Sequence, residues 1–370
     1  MREAMAAHVR RTWRHYTALA VLAALLGALR LAMAHRPAAQ WIADRLTTPY
    51  KRAVGSLCGL LPFSMAEVCW AALIVFCAVY VGKAVWALVR GKGRRGGILW
   101  RKTLGGCAVA LAVYLGYTLL WGVNYYTVTF EEQAGLAAQP VSVQQLAAVT
   151  NLFAEKLNGA QGEVSRDETG VFNETVAGIF AASDALYGPL EAQYPFLQAA
   201  AVRPKSMAFS KVLSAMEFTG FFFPFTGEAN LNTDAPACLL PATVAHELSH
   251  VRGVAPEQTA NFVGILACDT SGIAMYEYSG ALLAYIHLSN ALYGADRAQW
   301  EAVSRTLHPH VLADLAANNA YWAQYEKTVA ARAANSAYSS FLKSYGQSLG
   351  VKSYGAVVDL LVAYYAPRVQ

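Results

Sequence analysis

Three long apolar runs dominate the first third of the chain, at about residues 16–34, 66–89 and 104–121. A helix needs about 20 apolar residues to cross the roughly 30 Å of hydrocarbon in a bilayer, and each run is long enough. The second and third runs carry almost no charge, which favours membrane-spanning helices over buried ones. The first run ends in Ala32-Met33-Ala34, which also fits a signal-peptidase site, so a retained anchor and a cleaved signal both stay open.

Basic residues beside these runs predict the side of the membrane that each loop occupies. Lys and Arg concentrate in the cytoplasmic loops of membrane proteins. In this chain they are densest in the N-terminal tail and in the short loop at 90–102, and more dilute between the first two runs. We therefore predict a membrane anchor with three transmembrane helices over 1–125 and an extracytoplasmic domain over 126–370.

The remainder of the chain carries the hydrophobic period of amphipathic helices. Three segments show it most clearly, at about 142–157, 175–187 and 312–333. Ser142 is a suitable N-cap for the first of them. The run at 271–293 is apolar enough to imitate a fourth span, but it contains Glu277 and His287, and the cost of charge in lipid favours a buried helix. We expect a mainly α fold.

The composition agrees with a membrane protein. The chain is 56% hydrophobic and 14% charged, whereas soluble globular domains have about 45–50% apolar and about 25% charged residues. The net charge of +5 is modest, and the basic residues are not interleaved with aromatic ones. We therefore expect a lipid bilayer as a partner and no nucleic acid.

The clearest chemical motif is His246-Glu247-Leu248-Ser249-His250, a match to H-E-x-x-H. Residues four apart share one face of a helix, so His246 and His250 could bind the same metal ion, and one Zn²⁺ is the usual occupant. Glu247 could act as the general base for a water molecule that the metal activates.

A catalytic zinc site needs a third protein ligand, and Glu257 is the best candidate. It follows Pro256, which suits the start of a second helix. Asn261 lies one turn later on the same face and could hold a ligand through a hydrogen bond. Asp269 and Glu277 are the reserve ligands.

Several ordered motifs resemble a bacterial membrane family catalogued as domain of unknown function 3810. They are PFTGEANLNTDAP (224–236), LPATVAHELSHVRGVAPEQTANFVGILAC (240–268), YSGALLAY (278–285), GVKSYGAVVDLLVAYY (350–365) and WGVNY (121–125). The resemblance covers nearly the whole chain and implies a zinc metallopeptidase of a bacterial cytoplasmic membrane with no established substrate. H-E-x-x-H followed by E-x-x-A-N is also similar to gluzincin peptidases, which implies that Glu257 is the third ligand and that a zincin-like domain with a small β-sheet surrounds it. The wider clan commonly has Asp at the position of Asn261.

Gluzincin-like sites usually have an edge strand that pairs with an extended substrate, and 221–232 could supply it or could be a loop that covers the core. Candidate donors to the oxyanion are Tyr278, His287 and Tyr354, although a structural role suits each of them better. Cys238 and Cys268 flank the motif helix and could form a disulfide outside the cytoplasm, or could be metal ligands or plain core residues.

We therefore expect a membrane-anchored, zinc-dependent peptidase that hydrolyses peptide bonds, with Glu247 as general base and with peptide or protein substrates near the membrane or in the cell envelope. The alternative is a non-catalytic membrane protein with a structural metal site or a partner-binding outer domain. An intramembrane protease or transporter ranks last, because His246 and His250 lie far in sequence from the three apolar runs.

Overall fold

The elements of the chain group into two units in a computed structural model. The structure describes residues 2–91, 95–136, 141–326, 328–347 and 354–369, without the side chains of 2–11, 354 and 355. One unit comprises Met1–Tyr50 and Met65–Thr127, and the other comprises Lys51–Ser64 and Val128–Gln370. The segment between the first two apolar helices therefore contributes its second half to the later, larger unit.

The elements are mainly helical, as the sequence predicts. The first five helices are α1 (Arg2–Ala34), α2 (Arg36–Ile42), α3 (Thr48–Gly59), α4 (Met65–Arg90) and α5 (Arg95–Leu120). The later helices are α6 (Phe130–Ala134), α7 (Val143–Ala160), α8 (Val176–Leu186), α9 (Gly188–Gln193), α10 (Ser210–Ala215), α11 (Leu240–Val251), α12 (Glu257–Thr270), α13 (Ala274–Ala295), α14 (Arg297–Ser304), α15 (Pro309–Ala323), α16 (Val329–Ser344) and α17 (Tyr354–Tyr365). The strands are β1 (Lys205–Ser206), β2 (Gly220–Phe223) and β3 (Glu228–Leu231).

The first unit contains three helices that are long and apolar enough to cross a membrane: Thr12–Ala34, Met65–Arg90 and Arg95–Leu120. The predicted apolar helices are thereby confirmed. A helix satisfies every backbone polar group internally, which a lipid environment requires. The guanidinium of Arg30 in α1 donates hydrogen bonds to the hydroxyls of Tyr114 and Tyr126, so this cation has polar partners within the unit.

In the second unit, long helices build the core. Helix α7 begins with a capping box, in which Ser142 accepts from the backbone of Gln145 and the Gln145 side chain accepts from the Ser142 N–H. Helix α13, which covers the run that imitates a fourth span, buries Tyr276, Leu282 and Leu288 among its neighbours. The charge argument for a buried helix at this place is thus consistent with the observed packing.

A three-stranded sheet lies beside the helices, in the order β1-β3-β2. Strand β1 is parallel to β3, and β2 is antiparallel to it with Phe221 opposite Asn230. The predicted stretch 221–232 is therefore a hairpin, in which β2 forms one edge of the sheet and β3 its centre. Gly227, with φ of 68°, allows the tight turn between them.

Candidate metal centre

Helix α11 carries both histidines of the motif on one face. Pro241 occupies its first turn, where the missing N–H costs nothing, and the helix ends at Val251 before Gly253, which has φ of 91°. The imidazole rings of His246 and His250 lie edge to face, with 4.7 Å between their centroids. The i, i+4 spacing therefore brings the two rings together, as the sequence predicts.

Helix α12 brings Glu257 to the same point from its first turn. The distance from His246 Nε2 to Glu257 Oε2 is 3.2 Å, and His250 Nε2 lies 3.7 Å from Glu257 Oε1. One ligand atom from each of the three residues lies within 4.8 Å of the others. The close approach of the helices depends on Gly264, because a Cβ there would lie 3.0 Å from the backbone nitrogen of His246.

The other ring nitrogen of each histidine is held by an oxygen. His246 Nδ1 lies 2.8 Å from Asn261 Oδ1, and His250 Nδ1 lies 2.7 Å from the carbonyl oxygen of Val254. In the neutral tautomer in which Nδ1–H donates a hydrogen bond to this oxygen, Nε2 of each ring carries a lone pair that is free to bind a cation. This is the usual arrangement around metal-binding histidines, in which a further hydrogen bond sets the tautomer and the ring orientation.

The charge of Glu257 is stabilised within the cluster. Burial by itself favours the neutral acid, but attraction to His250 and His246 in their protonated form, and hydrogen bonds from them, outweigh it and hold the pKa of Glu257 well below its ordinary value. A cation bound in place of those protons would stabilise the same carboxylate anion. The centre therefore presents a buried carboxylate anion and two imidazoles, a donor set that zinc binds readily.

Glu247 lies next to the cluster without being part of it. Its residue surface is 3% exposed, and burial raises its pKa to about 8, although the backbone N–H of Phe222 donates to its carboxylate. Among the described residues Oε2 has no hydrogen-bond partner. A buried carboxylate oxygen without a partner is costly, which points to a ligand or water molecule beside the cluster.

The sheet edge makes room for Glu247 at Gly220, the first residue of β2. A Cβ at Gly220 would lie 2.9 Å from Glu247 Oε1 and 3.0 Å from the carbonyl oxygen of Asn230. The missing side chain therefore lets β2 lie directly against the carboxylate. Sequence reasoning missed this residue, since nothing in its local pattern marks it.

The residues present fit a single divalent cation. Two imidazole nitrogens and one carboxylate from two successive helices make a three-ligand set, and catalytic zinc sites add one open position to such a set. Glu247, whose Oε2 has no hydrogen-bond partner among the described residues, directly follows His246 on α11. A cation there would also stabilise the charged form of Glu247 and lower its pKa again.

The predicted oxyanion donors do not join the cluster as a group. The hydroxyl of Tyr278 donates to Asp314 Oδ2 at 2.5 Å, and Asp314 also pairs with Arg166 at 3.0 Å, so Tyr278 belongs to a buried structural network. His287 is close enough for the charge of His246 to act on it, and burial together with that charge lowers its pKa to about 4. The side chain of Tyr354 lies outside the described part of the chain.

The reserve ligand Asp269 has other partners. It forms an ion pair with Lys156 and accepts a hydrogen bond of 2.8 Å from the hydroxyl of Tyr365. Glu277, the second reserve, is not a member of the metal-type cluster found among the described residues.

Cys238 and Cys268, for which a disulfide, a metal-ligand role and a plain core position were all open, are both free and buried. The thiol of Cys238 faces the backbone carbonyl of Asp314 at 3.9 Å, whereas Cys268 packs against Gly280 of α13. The two side chains point at different neighbours, and of the three alternatives the structure shows two separate core thiols.

A residue that the sequence did not reveal reaches the centre from α16. The hydroxyl of Tyr338 donates to Glu257 Oε1 at 2.5 Å, and its ring packs edge-on against Phe218. Tyr338 lies far along the chain from the motif, on a helix whose pattern is simply amphipathic. Only the fold could identify it as a group that orients Glu257.

Over the described residues, fold and site together define a mainly helical chain with three membrane-length apolar helices and a His-His-Glu cluster in which His250 and Glu257 are buried and His246 is half-buried. The chain belongs to the family described as protein of unknown function DUF3810, whose model matches residues 45–362. This confirms the family that the ordered motifs indicate. No curated protein matches the chain, and no solved structure matches it.

Proposed function

We propose that this protein is a membrane-anchored, zinc-dependent peptidase. The observation that carries the proposal is the convergence of His246 Nε2, His250 Nε2 and the Glu257 carboxylate, with the partnerless oxygen of Glu247 beside them. A purely structural metal site has no need of a second buried carboxylate next to its ligands, and this favours a hydrolase over a structural centre.

In the proposed mechanism, His246, His250 and Glu257 would hold the cation. Zinc in such a site acts as a Lewis acid that polarises a carbonyl group and makes water more acidic. Glu247 accepts a proton from the attacking water and later delivers it to the leaving amine. Its buried setting raises its proton affinity, and the N–H of Phe222 keeps the carboxylate in place between these two transfers.

The free edge of β2 supports a peptide as the substrate. Among the described residues this strand pairs with β3 on one side only. An extended peptide that adds to such an edge is recognised mainly through its backbone, which tolerates many sequences. Because the Phe222 N–H of this strand contacts Glu247, a peptide on the outer edge would lie close to the proposed general base. An edge strand that pairs with an extended substrate is also what gluzincin-like sites usually have.

The domain units support an extracytoplasmic location for the site. Lys51–Ser64 and Val128–Gln370 fold together, so they occupy the same side of a membrane. Between them in the chain lie α4 and α5, and two crossings return the chain to the side on which it started. The loop that joins these helices is rich in Lys and Arg, and the positive-inside rule assigns it to the cytoplasm.

The substitution Glu247→Gln tests the proposal, using the full chain purified in detergent. We expect the variant to keep about one zinc per chain by elemental analysis and to lose hydrolysis of a proteome-derived peptide library by at least about 100-fold, because the amide cannot accept the proton. Glu163→Gln, at an exposed carboxylate, is the matched control and should behave like the natural protein. Hydrolysis that survives in Glu247→Gln with metal retained would refute the assignment, as would a natural chain that binds no divalent metal.

A further inference from the structure

The segment Lys51–Ser64, which we name the interfacial wedge, has one side turned into the second unit. Gly55 of α3 meets Gly227 in the β2–β3 turn so closely that a Cβ at Gly55 would lie 3.2 Å from the Gly227 carbonyl oxygen. At the end of the wedge, Ser64 donates a hydrogen bond of 2.6 Å to Asn230 Oδ1 in β3. The wedge therefore contacts the sheet at two places, the β2–β3 turn and strand β3.

Lys51 and Lys205 also make contacts between the wedge and the sheet. The ammonium of Lys51 lies 5.8 Å from the centre of the Phe222 ring in β2, and Lys205 of β1 donates to the backbone carbonyl of Leu61. All three strands thus touch the wedge, which makes it a fixed part of the unit that holds the candidate metal centre.

Within the part of the chain that the structure describes, the second half of the wedge leaves three large apolar side chains uncovered. Leu57, Leu60 and Phe63 are 66%, 81% and 48% exposed. A small stretch that exposes large apolar side chains so fully is unusual on a surface that faces water and marks a contact with lipid or with another protein.

We infer that Leu57, Leu60 and Phe63 insert into the interfacial layer of the bilayer and seat the second unit on the lipid surface. Met65, the first residue of the apolar helix α4, follows Ser64 directly, so the chain enters hydrocarbon within five residues of Leu60. Interfacial helices bury their apolar side about 5–10 Å into the boundary between headgroups and acyl chains, a depth within reach of these residues. A second copy of the chain would have to displace lipid from the N-terminal end of α4, which is long enough to cross the membrane. Lipid is therefore the occupant that we infer.

The wedge also connects the bilayer to the sheet edge at the candidate centre. Ser64 binds Asn230, Asn230 pairs with Phe221, and the next residue, Phe222, donates its N–H to Glu247. If the proposed peptidase function holds, this chain of contacts keeps the substrate-binding edge near the membrane surface and favours polypeptides that are anchored or emerge there. The lipid contact itself does not depend on that function.

Photo-crosslinking of the full chain in nanodiscs of phosphatidylethanolamine and phosphatidylglycerol tests the inference. The photoreactive residue p-benzoylphenylalanine is placed at position 57 or 60, and the product is read as a mass shift on the wedge peptide. We expect lipid adducts at both positions at no less than about half the yield seen at Ile74, an exposed residue of α4. Leu312 and Val329, exposed apolar residues of the second unit, should each give at most about a fifth of that yield.

Two outcomes would overturn the inference. One is the absence of lipid adducts at 57 and 60 while position 74 is labelled, and the other is a crosslink to a second copy of the chain in their place. Because neither readout involves metal or hydrolysis, failure here is distinct from failure of the proposed function. Size-exclusion elution and the unfolding temperature, compared with the natural chain, report whether each labelled variant is folded.

Discussion

At the scale of single residues, the candidate centre depends on how its histidines are held. His246 is oriented by a side-chain amide on α12, whereas His250 is oriented by the backbone carbonyl of Val254. A side-chain partner can be removed by substitution, and a backbone partner cannot. The two ligands are therefore open to different tests, although they share one helix face.

The substitution Asn261→Ala should lower zinc affinity by about 10- to 100-fold, because His246 loses the oxygen that sets its tautomer and ring orientation. Competition with a zinc-binding dye on the purified chain measures the change. Asn261→Asp retains an acceptor oxygen and should keep most of the affinity. Equal affinities for all three proteins would mean that the contact between Asn261 and His246 does not position the ligand.

At the scale of elements, the fit of strand β2 against helix α11 decides the position of Glu247. The strand supplies the Phe222 N–H to the carboxylate, and the bare backbone of Gly220 leaves room for it. Strand and helix thus act together on one side chain.

The substitution Gly220→Ala should abolish most hydrolysis while zinc stays bound. Its Cβ would come within 2.9 Å of Glu247 Oε1 and also approach the Asn230 carbonyl, so the carboxylate or the strand must move. The rate of peptide hydrolysis and the zinc content per chain are measured on the same preparation. Gly162→Ala, where a Cβ meets nothing within 4 Å, is the control and should leave both unchanged. Full activity in Gly220→Ala would show that Glu247 tolerates a shifted strand.

Helix α3 carries a buried cation whose effect on stability depends on pH. Burial, followed by the nearby charge of Arg52, lowers the pKa of Lys51 to about 8. Between about pH 8 and pH 10.5 the unfolded chain keeps the lysine proton and the folded chain releases it, so stability rises with pH across this window. Below about pH 8 both states are protonated, and the folded state bears the full cost of a buried charge.

The substitution Lys51→Met should therefore stabilise the protein near neutral pH, by roughly 2–4 kcal/mol in the free energy of unfolding. It should also remove the contribution of this lysine to the increase of stability between about pH 8 and pH 10. The free energy of unfolding is measured with denaturant for the variant and the natural chain in detergent at each pH. The difference between the two values cancels the contribution of the other titrating groups. Lys211→Met at an exposed lysine is the control, with no expected change. A less stable Lys51→Met would indicate that the charge contributes more through Phe222 than its burial costs.

At the scale of the whole molecule, the cluster ties together two helices that the chain visits in succession. The candidate ligands come from α11 and from the first turn of α12, so a bound cation would add its binding free energy to the folded state alone. The same tie reaches α16, since Tyr338 donates to Glu257.

Removal of the metal by a chelator should lower the unfolding temperature of the purified chain by about 5 °C or more, because a ligand at 100 times its Kd contributes about 2.7 kcal/mol. Added zinc should restore the temperature, as measured by intrinsic tryptophan fluorescence. The variant His250→Ala should respond to neither treatment. An identical response of His250→Ala and the natural chain would place the zinc elsewhere.

The parts of this protein that depend on short-range pattern could be predicted from its sequence. Helix α4 follows from length and apolar composition, and the shared face of His246 and His250 follows from the helical period. Glu257 and Asn261 were within reach because they lie on the next helix, and their spacing reproduces that of a known kind of site.

Pattern alone could not show which distant residues meet. Tyr338, the backbone of Gly220 and the wedge around Gly55 all contact the centre or its sheet from remote parts of the chain, and a local pattern carries no information on such pairs. The pairing of Tyr278 with Asp314 was hidden for the same reason.

The sequence by itself thus determined the three apolar helices, the helical character of the rest and which residues form the His-His-Glu cluster, because hydrophobic period and residue spacing act over short stretches of chain. The tertiary structure decided which carboxylate oxygen lacks a partner among the described residues, which tyrosine binds Glu257 and that the interfacial wedge contacts the sheet, because these depend on packing between elements far apart in the chain.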